Sequence, residues 1–163
     1  RFEKHCSGTN CILINYCLIE LMLILRNIIK VIRGFVMMFS KNTELYEEYA
    51  EYISLDDVRD AFHILIGGAS TLPEFSCHPE AKGEIKDFRY LTVDKKQPFA
   101  FIINKQSLLF YLREPAIASK KYNMEELKTT FEEVNENPKG EWTIRVINRE
   151  DAININEQVL FAW

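Results

Sequence analysis

Four side chains carry the most readable chemistry in this chain: Arg89, Tyr111, Arg113 and Arg145. Each sits in a stretch that alternates apolar and polar residues at the two-residue period of a strand. In 142–147, Trp142, Ile144 and Val146 point one way and Thr143 and Arg145 the other. In 107–113, Leu108, Phe110 and Leu112 oppose Tyr111 and Arg113, and in 85–93, Phe88 and Tyr90 oppose Arg89 and Leu91. The apolar sets form the natural core face, which leaves the three arginines and the tyrosine on the other. A guanidinium fork recognises phosphate or carboxylate with paired hydrogen bonds, and an aromatic ring beside it stacks on a base or planar group. The face therefore reads as an anion or nucleic-acid surface. The competing reading is a solvated face whose arginines pair across strands with acids such as Asp87 or Glu114.

Other groups are less complete. Glu84-x-Lys86, ahead of an aromatic strand, resembles the end of a metal-dependent nuclease motif, in which carboxylates hold Mg2+ and a lysine orients the attacking water. That chemistry needs an upstream acid on an adjacent strand. Glu74 and Glu80 fall in an expected loop, and Asp57 and Asp60 on an expected helix. Cys77-His78 lacks the second pair that a zinc site requires, and a Cys77–His63 nucleophile would depend on spatial adjacency alone. Gly67-Gly68 and Gly83 do not make a phosphate loop. Glu47, Glu48 and Glu51 form an acidic helix face, ordinarily solvated. No catalytic residue, metal ligand or cofactor is assigned.

These residues are positioned by a readable series of elements. Thr43 opens ELYEEYAEY with acids in the first turn, as a helix N-terminus prefers. Ser54 then caps LDDVRDAFHILI, ended by Gly67-Gly68, so 43–66 reads as two short helices joined near Ile53. Residues 69–83, with Pro73 and Pro79 and no clean period, read as a long loop. Three strands follow at Ile85–Val93, Phe99–Ile103 and Ser107–Arg113, the last two forming a hairpin around Asn104-Lys105-Gln106. Residues 116–122 connect to a helix capped by Asn123, with Leu127, Phe131 and Val134 on one face. Trp142–Ile147 is a fourth strand, and Asn148 caps a last helix to about Phe161. The order α-α-β-β-β-α-β-α predicts an α+β fold: a small, mostly antiparallel four-stranded sheet packed by helices. The helix before the fourth strand allows a crossover that would set the third and fourth strands parallel. Phe62, Phe110, Leu112, Phe131, Trp142 and Ile144 are the expected core.

The chain has 163 residues and a net charge of −4. Residues 38–163 carry 15 Lys+Arg against 22 Asp+Glu, a net −7, which argues against strong non-specific nucleic-acid binding. This region reads as a single domain with one cysteine, Cys77, suited to a reducing cytoplasm. Residues 1–37 read differently. The 11–25 segment is shorter than the about 20 apolar residues that a span needs, and Glu20 interrupts it. The composition of 1–36 resembles translated AT-rich non-coding DNA, and Arg33-Gly34 is encodable as a purine run resembling a ribosome-binding site. Met37 or Met38 is therefore the expected native start, and a membrane-anchored form depends on 11–25 being real. The preferred function is a soluble, non-enzymatic binding or interaction domain for a protein partner or an anionic ligand. The alternative is an enzyme of the nuclease kind using Glu84 and Lys86.

Overall fold

The computed structural model describes residues 42–82 and 84–163, together with Leu25, Ile28 and Ile29, which are helical and exposed. The other residues in 1–41, including nearly all of 11–25 and the Met37/Met38 start, lie outside the described residues. No helix among the described residues is long and apolar enough to cross a membrane.

Two helices come first, α1 (42–52) and α2 (Asp56–Ala69). Their junction is held by Arg59, whose fork donates to the carbonyls of Ile53 (2.8 Å) and Ala50 (3.1 Å) and pairs with Asp56 (2.6 Å). One guanidinium thus satisfies carbonyls that the end of α1 leaves open. Contrary to the expectation from sequence, Ser54 does not cap α2, whose N-cap position is Leu55. The Ser54 backbone N–H and hydroxyl both donate to the Lys105 carbonyl, tying the junction to a strand turn. Nor do Gly67-Gly68 end α2. The helix runs on to Ala69, and the Ser70 and Thr71 hydroxyls take up the carbonyls of Gly67 and Gly68.

Four strands follow: β1 (Phe75–Lys82), β2 (Ile85–Thr92), β3 (Phe99–Ile103) and β4 (Leu108–Leu112). Then come short helices α3 (Glu114–Ala118) and α4 (Met124–Thr130), strands β5 (Val134–Glu136) and β6 (Trp142–Val146), and α5 (Arg149–Ile155), continued by a π-helical turn over Asn156–Leu160. Asn123 and Asn148 cap α4 and α5 as expected, each accepting from a backbone N–H of the first turn.

The class is α+β, but the sheet has six strands, not four, in the order β1-β2-β3-β4-β6-β5. Every neighbouring pair is antiparallel, including β4 and β6, so the parallel alternative fails. The chain passes from β4 through α3 and α4 to the outer β5 and returns inward as β6. Two strands escaped the sequence reading for separate reasons. β1 occupies most of the expected 69–83 loop, because Pro79 is tolerated on an edge strand. In the sequence Val134 fits the end of a helical stripe. Instead α4 stops at Thr130, Phe131 is extended (φ −111°, ψ 137°) and Val134 begins β5.

The core lies between the helices and one face of the sheet. Phe88, Phe101, Phe110 and Ile144 form one cross-strand row, all fully buried, with the Phe88 and Phe101 rings stacked at 5.0 Å. Phe62 of α2 meets Phe101 edge-on at 6.2 Å, and Tyr46 of α1 approaches Phe88. Burying each such side chain is worth about 1.5–3 kcal/mol before entropy is charged against it. Phe62, Phe110, Leu112, Phe131 and Ile144 are buried as expected, whereas Trp142 is half-buried beside the three-residue edge strand β5.

Candidate functional site

The face of the sheet turned away from the core carries the four singled-out residues. None of Ala100, Ile102, Leu109 or Tyr111 belongs to the hydrophobic cluster that joins the helices to the sheet. Arg89, Ala100, Tyr111 and Thr143 form one cross-strand row. Asp87, Ile102, Leu109 and Arg145 form the next. With strands about 4.8 Å apart, Arg89 and Tyr111 stand about 10 Å apart across Ala100. Arg113, two residues beyond Tyr111, and Arg145, opposite Leu109, lie on either side of the ring at about 7 Å along the strands. Tyr111 is therefore central, with the small side chain of Ala100 beside it.

Each arginine is held by a carboxylate. Arg89 pairs with Asp87 at 2.9 Å and with Glu80 of β1. Arg113 Nε donates to Glu141 at 2.7 Å, and Arg145 Nη1 lies 3.2 Å from Glu133. Glu141 is itself placed by the turn between β5 and β6. Asn137 donates to its second carboxylate oxygen at 3.0 Å, and Gly140 supplies the left-handed conformation (φ +76°) the turn needs. Burial alone would raise the Glu141 pKa. The Arg113 and Asn137 hydrogen bonds and the Arg113 charge outweigh it, so the carboxyl titrates below its usual range. Burial, with help from Glu141 and against Arg113, pushes the Tyr111 phenol up. It is a neutral hydroxyl at pH 7.

Across these pairs three guanidiniums meet four carboxylates. Each guanidinium thus has at least one carboxylate partner, and the centre of the face is apolar. Ile102, Leu109, Leu91 and Tyr111 are half-buried, and Ala100 is buried. At one end, Ile85 on β2 and Ile147 just past β6 continue the open-face alternation and are 54 % and 42 % exposed. The sequence reading stopped at the charged positions and missed this apolar band. Its signal lay in the same alternation, at Ile85, Ile102, Leu109 and Ile147.

The remaining candidates are dispersed. Lys86 alternates to the helical side, where its ammonium lies 2.6 Å from Glu48 and over the rings of Tyr49 (5.6 Å) and Tyr52 (5.1 Å). Glu84 lies in the exposed turn before β2, and no three His, Cys, Asp or Glu side chains among the described residues gather to hold a metal. Cys77 faces the core opposite Tyr90, while His78 pairs in register with Arg89 on the open face. Burial pushes the Cys77 thiol up to about 12, and His63 is exposed on α2. Of Glu47, Glu48 and Glu51, all exposed, Glu48 has Lys86 as its partner. Comparison with protein families, curated proteins and solved structures finds no match to this chain.

Proposed function

We propose that this chain is a non-enzymatic binding module that takes a protein partner on the open face of its sheet. In this reading Tyr111 is the central contact, and Arg89, Arg113 and Arg145 are the recognition groups around it. The observation that supports it best is a face that takes no part in the hydrophobic cluster of the described residues, an apolar band with ion pairs at its margins. Protein interfaces have this anatomy, with an apolar centre, a polar rim, and tyrosine and arginine over-represented among the anchors. A phosphate or nucleic-acid ligand is the weaker form of the proposal, because it would have to displace carboxylates that the guanidiniums already hold.

The test is a photo-crosslinking phenylalanine analogue placed at position 111, with a control at the exposed Glu157 on the helical side. A polypeptide adduct at 111, absent at 157 and lost on adding Arg145→Glu, is the expected result. Equal labelling at both positions, or none, refutes the reading. Tight binding of inorganic phosphate or an oligonucleotide, lost when Arg89, Arg113 and Arg145 are reversed to Glu, would replace the protein partner with an anion.

A further inference from the structure

We draw no further inference here: the strongest candidate, the apolar band of Ile102, Leu109 and Tyr111 on the open face of the sheet, belongs to the site already described, and nothing in the structure shows what covers it.

Discussion

Adjacent glycines in α2 should respond in opposite directions to the same substitution. An ideal Cβ at Gly68 would lie 2.4 Å from Asn156 Oδ1, 2.5 Å from its Nδ2 and 2.6 Å from its Cγ. Asn156 cannot easily yield. It is buried at the start of the π-helical turn, and its Nδ2 donates to the Ile64 carbonyl at 3.2 Å. Turning the carboxamide away breaks that bond inside the crossing of α2 and α5, and an unmet buried polar group costs about 1–3 kcal/mol. Forcing extra volume into a packed contact adds about 1–3 kcal/mol. Against this, replacing glycine by alanine within a helix gains about 1 kcal/mol. Gly68→Ala is therefore expected to destabilise by about 1–5 kcal/mol, or about 3–5 °C of melting temperature for each kcal/mol. At Gly67 a new Cβ meets nothing within 4 Å, so Gly67→Ala keeps only the favourable part and should stabilise by about 0.5–1 kcal/mol. Urea unfolding followed by circular dichroism measures both. A Gly68→Ala protein as stable as its parent, or equal losses at the two positions, would refute the account of the helix crossing. Pairing Gly68→Ala with Asn156→Ala should recover most of the clash energy, since the residues then no longer meet.

Three other outcomes follow from the same geometry. Phe110→Ala, in the centre of the buried row, should cost about 3–5 kcal/mol, read as a lowered urea midpoint. The folded pKa of Glu141 lies below its unfolded value, so its contribution to stability is present above the unfolded pKa and vanishes as pH falls through the lowered folded one. Glu141→Gln should accordingly be less stable than the parent at neutral pH, with a gap that closes in acid; a gap constant with pH would contradict this. With its thiol pKa pushed up to about 12 by burial, Cys77 should resist alkylation by iodoacetamide at neutral pH and react once urea unfolds the chain, as peptide mass spectrometry would show.

Much of the scaffold was legible because its signals are local. The two asparagine caps, the two N-terminal helices and strands β2, β3, β4 and β6 all rest on periods and end groups within a few residues. What escaped depends on neighbours remote in sequence. Pro79 argues against a strand until β1 is known to be an edge, where it and the Tyr49 hydroxyl bonded to the Glu80 carbonyl also blunt further pairing. Gly68 looks like a helix stop until α5 is seen to cross it with Asn156. Val134 fits a helical stripe as well as a strand, and only the pairing of β5 with β6 decides.

The same distinction governs the site. Alternation within each strand correctly put Arg89, Tyr111, Arg113 and Arg145 on one face, but a count of arginines is not a measure of potential. Asp87, on the strand of Arg89 itself, is readable as a partner, but the other carboxylates come from β1, from the segment before β5 and from the turn before β6, which the strands bearing the arginines do not reveal. Once those acids are in place, every one of these guanidiniums already has a carboxylate partner, so a polyanion would have to displace an acid at each arginine it met.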